Sequence, residues 1–266
     1  MLREYGWPFQ PPAPDRAHRE AAVLALLDQE AVPAPRVLAV TDEALLMTFE
    51  QGQLLGKLAE EAATELDGAW RDTGRALRRV HQIVPPVDLN LAGGPGRSPL
   101  PWHERVLADV DAHLTAALKT RPDVAIHASR IRGVFDEAVD RLAVRPMRLL
   151  HGDAQPWNVL VERADKRWSC TAILDWEFAE LGDPVWDLVR FDQLRRRPLA
   201  PTPDSFFEGY GERGPATIWR LYELALHLWQ ADDADTWPDP LPSHKIADEY
   251  LTRLPAHLDE IERLLS

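Results

Sequence analysis

The sequence predicts an α+β fold in two unequal parts, a small α/β front piece over residues 1–52 and a larger, mainly helical back piece over residues 53–266. Three observations predict it. One helical apolar stripe and two strand-like runs crowd into the front piece. Apolar residues then recur at helical spacing through most of the remaining chain. Three short apolar runs between Met147 and Leu174 interrupt that helical pattern. The length of 266 residues suffices for one large domain or two modest lobes sharing a core. Hydrophobic residues at 45% and charged residues at 27% exclude a disordered, collagen-like or coiled-coil chain.

Residues 1–14 turn proline-rich at Pro8, Pro11, Pro12 and Pro14 and read as an extended loop. Asp15 can cap a helix running to about Glu30, with Ala17, Ala21, Leu24 and Leu27 as its apolar stripe. Val32-Pro33-Ala34-Pro35 stops that helix. Val37–Val40 and Ala44–Phe49 read as strands around a Thr41-Asp42-Glu43 turn, and Gly52 closes the unit. Leu66, Trp70, Leu77 and His81 mark a long helical segment ended by Pro85-Pro86, and a glycine- and proline-rich loop spans Ala92–Pro101. Helices are expected near 102–119 and around Ile131, Val134, Phe135, Ala138 and Leu142. Met147–Leu150, Asn158–Val161 and Thr171–Leu174 then read as strand, loop and strand, followed by helices near 184–194, 204–212, 215–231 and 243–265. No repeat occurs at the periods that mark solenoids.

The charge is −13, from 30 basic and 43 acidic residues, which argues against nucleic acid as a partner. The single cysteine, Cys170, excludes a disulfide framework and a multi-cysteine zinc site. The first residues carry no apolar signal core, and the longest apolar run, Ala21–Leu27, is too short for a bilayer. The expectation is a soluble, cytoplasmic protein with no membrane partner, and the sequence carries no signal for oligomeric state. The basic set is lopsided, because no lysine precedes Lys57.

Several motifs fail on inspection. Gly52 to Lys57 is one residue short of a phosphate-binding loop and lacks its Ser or Thr. His103-Glu104 has Leu107 where a zincin needs histidine, and Ser98 lacks the second glycine of a nucleophile elbow.

One constellation survives. The run Leu149-Leu150-His151-Gly152-Asp153 delivers an aspartate from an apolar strand, and Asn158 follows five residues later. A second strand, Ala172-Ile173-Leu174, ends in Asp175-Trp176-Glu177. Phosphoryl transfer from a nucleotide needs this spacing of an aspartate, an asparagine and a strand-terminal aspartate. Asp153 would orient an acceptor hydroxyl and take its proton. Asn158 and Asp175 would supply hard oxygen ligands to Mg2+ against the phosphates. His151 is expected to brace the loop.

These segments resemble the aminoglycoside phosphotransferase and choline kinase-like family, whose fold is similar to that of protein kinases. The resemblance includes Gly182-Asp183-Pro184-Val185-Trp186-Asp187-Leu188 and runs from about residue 2 to residue 230. It implies a two-lobed fold, ATP or GTP as phosphoryl donor, Mg2+ as cofactor and a small hydroxylated acceptor. It also implies that Asp187 supports the catalytic loop. Thr48, Phe49 and Glu50 would line the hinge that meets the purine, and Glu20 would be the helix glutamate that pairs with a phosphate-binding cation. The family's cation is a lysine or arginine on its third strand; Leu2-Arg3 would match the end of that strand and no lysine precedes Lys57, so Arg3 is the one candidate, with an unordered terminal residue as the competing reading. The family's front glycine-rich hairpin precedes that strand and is not found here, so the expectation is a truncated N-lobe. A misplaced start, a natural truncation with weak nucleotide binding and a non-catalytic kinase-like module remain three readings of that departure.

The acceptor region is read at residues 203–266, which carry a net −8. Asp232, Asp233 and Asp235 were expected in one interhelical loop beside Trp237, with Glu177 also facing the cleft. Such a cleft would attract a polycationic amino-sugar or a quaternary amine. A solvated acidic surface explains the same residues, and neutral acceptors stay open.

Overall fold

The structure, a computed structural model, describes residues 1–5, 15–61, 65–86, 89, 100–193, 201–233 and 248–266. Strand β1 (Leu2–Glu4) precedes helix α1 (Arg16–Gln29), strands β2 (Val37–Val40) and β3 (Ala44–Met47), and the two-residue strand β4 (Gln53–Leu54). Helices α2 (Leu55–Glu60), α3 (Asp67–Val80), α4 (Trp102–Thr120), α5 (Pro122–Ala125) and α6 (Ala128–Ala143) follow. Strands β5 (Arg148–Leu150), β6 (Val159–Ala164), β7 (Arg167–Ile173) and β8 (Glu180–Gly182) come next, then helices α7 (Pro184–Gln193), α8 (Asp204–Tyr210), α9 (Ala216–Asp233) and α10 (Leu254–Leu265). Single 3-10 turns at Pro156–Asn158 and Trp176–Phe178 follow β5 and β7.

The first sheet has the antiparallel order β1-β3-β2, with Arg3 opposite Leu45. The α1 stripe of Ala21, Leu24 and Leu27 packs with Leu45 and Met47 into one core that also takes in Leu149 and Trp176. The second sheet, β4-β6-β7, is built on the β6–β7 hairpin and packs with α2, α3 and α8. A third core gathers the carboxy-terminal helices around α9, whose Leu221, Tyr222, Leu224 and Leu226 are all fully buried. A helix apolar on every side belongs in such a centre.

Two of the three cores meet at β5. Leu149 belongs to the α1 core and Leu150 to the α9 core, as expected for adjacent strand residues on opposite faces. The strand that ends at His151 is therefore clamped from both sides.

The reading of the sequence differs from the structure in particular places. Asp15 precedes α1 without a side-chain capping hydrogen bond. The strand expected to reach Phe49 ends at Met47, and β1, α2, β4 and β8 were not read as separate elements. Strand β8 was missed because its Glu180-Leu181-Gly182 has neither length nor alternation, and it forms by pairing with β5. The helix expected over 243–265 is broken before Leu254, where Pro255 sits in the first turn of α10 and offers no N–H to a preceding turn. Asp232 and Asp233 lie on the end of α9 rather than in a loop, because the helix continues further than expected. Asp235, Trp237 and most of the Ala92–Pro101 loop lie outside the described residues. Among the described residues, no helix is long and apolar enough to cross a membrane.

His227 on α9 is buried, bonds Gln230 Oε1 through Nδ1 at 2.8 Å and stacks on Tyr250 with ring centroids 3.7 Å apart. Burial pushes its imidazole down from 6.5 to about 3, against the opposing hydrogen bond from Gln230. The folded ring thus stays neutral where the unfolded one takes up a proton. The stability this contributes is present above pH 6.5 and is lost as the pH falls toward the folded value. Urea unfolding at pH 7 and pH 5 should show a loss of about 2 kcal/mol that is absent in His227→Phe.

Candidate active site

The loop that follows β5 is built on one buried carboxylate. Asp187, on the first turns of α7, accepts the backbone N–H of His151 at 2.6 Å and that of Gly152 at 3.1 Å. Its Oδ2 also takes His81 Nε2 at 3.1 Å, and His81 Nδ1 meets the Tyr210 hydroxyl at 2.8 Å. Burial alone would push the Asp187 carboxyl up; the His81 and backbone hydrogen bonds, with the nearby imidazoles, outweigh it and hold the group below the ordinary aspartate value. Tyr210 reaches His81 because α8 lies unusually close to α3. A Cβ at Gly74 would lie 2.1 Å from the Phe206 carbonyl oxygen, and one at Gly209 would lie 2.0 Å from that of Arg71.

His151 is fully buried and braces the loop from inside. Its Nε2–H donates to the Leu174 carbonyl at 2.8 Å, while Nδ1 accepts the Asp153 N–H at 3.2 Å. One tautomer of the ring satisfies both contacts and ties the catalytic loop to the end of β7.

Asp153 then projects into a cluster of donors. Its Oδ2 accepts Gln155 Nε2 at 2.7 Å and Asn158 Nδ2 at 3.1 Å, and its Oδ1 accepts Arg190 at 3.1 Å. Asn158 Nδ2 also donates to the Asp153 carbonyl at 2.9 Å. The amide nitrogen of Asn158 is thus committed to Asp153, which leaves its side-chain carbonyl oxygen as the atom that could serve a metal. Asp175 adopts a left-handed backbone at φ +70°, ψ +60°, a conformation that costs a residue with a side chain and is found where function demands it.

Arg3 joins two distant parts of the chain. Its guanidinium contacts Glu20 at 3.2 Å, Asp175 at 2.7 Å and Glu177 at 2.7 Å, and it lies over the Tyr5 ring at 5.4 Å. Burial works against its charge, but the three carboxylates outweigh that and raise its pKa. Glu20 is 2% exposed and also accepts the Tyr5 hydroxyl. Burial pushes the Glu20 and Glu177 carboxyls up, and Arg3 opposes it at both. Glu177, expected to face the acceptor cleft, has Arg3 on one oxygen and Arg16 on the other at 3.5 Å. It lies in the 3-10 turn that follows Asp175. Thr48 and Glu50 are linked by a 2.5 Å hydrogen bond, the Thr48 hydroxyl accepts the Arg36 N–H at 2.8 Å, and Phe49 is exposed. The side chains of Asp232 and Asp233, like Asp235 and Trp237, lie outside the described residues.

The donors present fit a magnesium ion. Asn158 and Asp175 offer hard oxygens, and Mg2+ binds through one or two protein ligands while keeping waters and phosphate oxygens. Among the described residues no group of three or more His, Cys, Asp or Glu side chains could hold a metal unaided. Arg3 shares Asp175 and would have to yield one of its oxygens.

An aspartate on the loop after β5, an asparagine bonded to it and an arginine–glutamate pair that also reaches Asp175 are the groups a phosphotransferase of kinase-like fold would use. The model of the phosphotransferase enzyme family (APH) matches residues 8–220, and the chain belongs to that family. A comparison with curated proteins gave no match. Among solved structures, the fold is similar to that of APH(2")-IIa in its gentamicin complex, with TM-score 0.64 and 16% identity over 97% of this chain and 83% of the other. It is similar to ADP-bound aminoglycoside phosphotransferase APH(2'')-Ib, with TM-score 0.63 and 17% identity over 94% and 92%. It also resembles a choline/ethanolamine kinase family protein from Mesorhizobium loti, with TM-score 0.59 and 22% identity over 99% and 84%.

Sequence reasoning missed His81, Gln155 and Arg190. His81 appeared only as one apolar-face position of a helix. Arg190 had a usable signal, because it follows Asp187 by three residues and so shares its helix face.

Gly152 has φ +79°, and a Cβ there would lie 2.0 Å from the Phe178 carbonyl oxygen. Gly152→Ala should therefore destabilise the protein by about 2 kcal/mol or more in urea unfolding. Gly133, exposed in the middle of α6 with nothing within 4 Å of a built Cβ, provides the contrast. Gly133→Ala should stabilise by about 1 kcal/mol.

Proposed function

We propose that the protein is a Mg2+-dependent O-phosphotransferase that moves the γ-phosphoryl group of ATP or GTP to a hydroxyl of a small acceptor. The nucleotide would lie where residues 1–52 meet residues 53–266, with Thr48, Phe49 and Glu50 beside the purine and Arg3 toward the phosphates. The observation that carries the reading is the arrangement of Asp153, locked to Asn158 and anchored through the loop backbone to Asp187. Asp153 would orient the acceptor hydroxyl and receive its proton as the phosphoryl group departs. Asn158 and Asp175 would hold the metal, which supplies charge neutralisation at the phosphates when bound. The solved gentamicin and ADP complexes of similar fold support a small-molecule acceptor and a nucleotide donor.

The net −8 of residues 203–266 favours a cationic acceptor, of which an amino-sugar is the first to test. The lone Cys170 fits action in the reducing cytoplasm. A non-catalytic, ligand-binding kinase-like module is the second reading. The observation on its side is the grip of Arg3 on Asp175, which occupies an oxygen the metal would use.

Two measurements separate these readings. Thermal unfolding with millimolar Mg·ATP or Mg·GTP should show a magnesium-dependent rise in Tm that Asp175→Ala abolishes; the non-catalytic reading expects none. Asp153→Ala should abolish transfer to an acceptor while leaving that nucleotide-induced rise in place, and retained turnover would overturn the assignment.

A further inference from the structure

Arg190 has no part in the mechanism so far. It lies on α7 one turn beyond Asp187, so a single helix face presents both residues to the catalytic loop. Asp187 holds the loop's backbone, whereas Arg190 holds its reactive side chain, donating to Asp153 Oδ1 at 3.1 Å. The guanidinium is itself held in place. It lies 5.9 Å from the Trp186 ring and 5.4 Å from the Trp229 ring, within the range at which a cation is attracted to an aromatic face. Arg190 and Asp153 side chains are only 13% and 14% exposed, so their attraction is poorly screened by water. Arg190 Nε is buried with no hydrogen-bond partner among the described residues, which leaves the fork's terminal nitrogen as the one turned to the carboxylate.

The two oxygens of Asp153 are thus held differently. Oδ2 is fixed within the loop by Gln155 and Asn158. Oδ1 is fixed from outside it, by a cation on another helix. We propose that Arg190 is a positioning residue for phosphoryl transfer, one that sets the rotamer of Asp153 and so the direction in which its carboxylate meets the acceptor hydroxyl. This rests on the phosphotransferase reading of the same site. The guanidinium does not touch the phosphoryl group; it acts through Asp153. At Asp153 a carboxylate oxygen takes the acceptor proton as the acceptor oxygen bonds to the γ-phosphorus, while the bond from that phosphorus to the bridging oxygen breaks and the nucleoside diphosphate leaves with the electron pair.

The test uses the full chain and basal hydrolysis of Mg·ATP, with water as acceptor. Arg190→Met should lower kcat about tenfold to a hundredfold while leaving KM for Mg·ATP within about twofold. Arg190→Lys, which restores the charge without the fork, should recover part of kcat. An unchanged kcat in Arg190→Met, or a rise in KM alone, overturns the proposal. A thermal double-mutant cycle with Asp153→Asn reads the contact without any turnover. The Tm losses should be clearly non-additive, and strict additivity overturns the proposal even if Arg190→Met is inactive. Wild-type protein that neither hydrolyses nor is stabilised by Mg·ATP defeats the phosphotransferase reading, and the positioning role with it. Coupling in the cycle would then stand as a structural ion pair alone.

Discussion

The carboxylate of Asp187 is fully buried, and a charge taken that far from water survives only if donors surround it. Three donors do: two consecutive backbone N–H groups of the catalytic loop and the His81 imidazole. The arrangement is mutual. The loop reverses direction after β5 because its amides have a partner there, and Asp187 remains ionised because the loop reverses. Everything downstream follows from that turn, including the left-handed Gly152, the exit of Asp153 toward Gln155 and Asn158, and the contact of His151 with the end of β7. Close packing of α8 on α3 extends the same chain of dependence by two steps, through Tyr210 and His81.

Much of this was legible in the sequence, for identifiable reasons. The strands and the loop between them announce themselves because apolar runs deliver polar residues at fixed spacing, and His151, Asp153, Asn158 and Asp175 need only local chain geometry to be recognised as a group. The α1 stripe was legible because its period matches a helix, and its members are buried as the period requires. What escaped detection depends on distant partners. Strand β8 exists by pairing with β5, Arg190 matters only where α7 meets the loop, and Glu177 takes its partners from β1 and α1. None of these has a local signature. The end of α9 was misjudged for the opposite reason, since a cluster of aspartates reads as a loop while the helix runs on beneath it.

The unusual preference for arginine over lysine has a structural counterpart. The carboxylates around the site are gripped by guanidinium groups: Asp153 by Arg190, Glu20 and Asp175 by Arg3, Glu180 by Arg105 and Asp183 by Arg145. The Asp183 pair is bidentate, at 2.7 and 3.2 Å, and the Tyr222 hydroxyl adds a third donor. A planar fork can serve two acceptors at once in fixed directions, which a lysine ammonium cannot. Arg3 uses this to span three acidic groups from two parts of the chain. Lysine could keep the charge there, but not the geometry.

That span reaches across 172 positions of sequence, from Arg3 to Asp175. On a ribosome adding about 5 to 20 residues per second, roughly 10 to 30 seconds separate the synthesis of the two partners. Throughout that interval the front sheet and α1 can form by local contacts, but Arg3 has only Glu20 for a partner. The cleft is completed late, when β7 has emerged and its terminal aspartate swings into reach. A nascent chain would therefore acquire its helix–sheet front early and the Asp175 side of the site only after about two thirds of the chain has been made. A chain interrupted before β7 would be left with a folded front and no site.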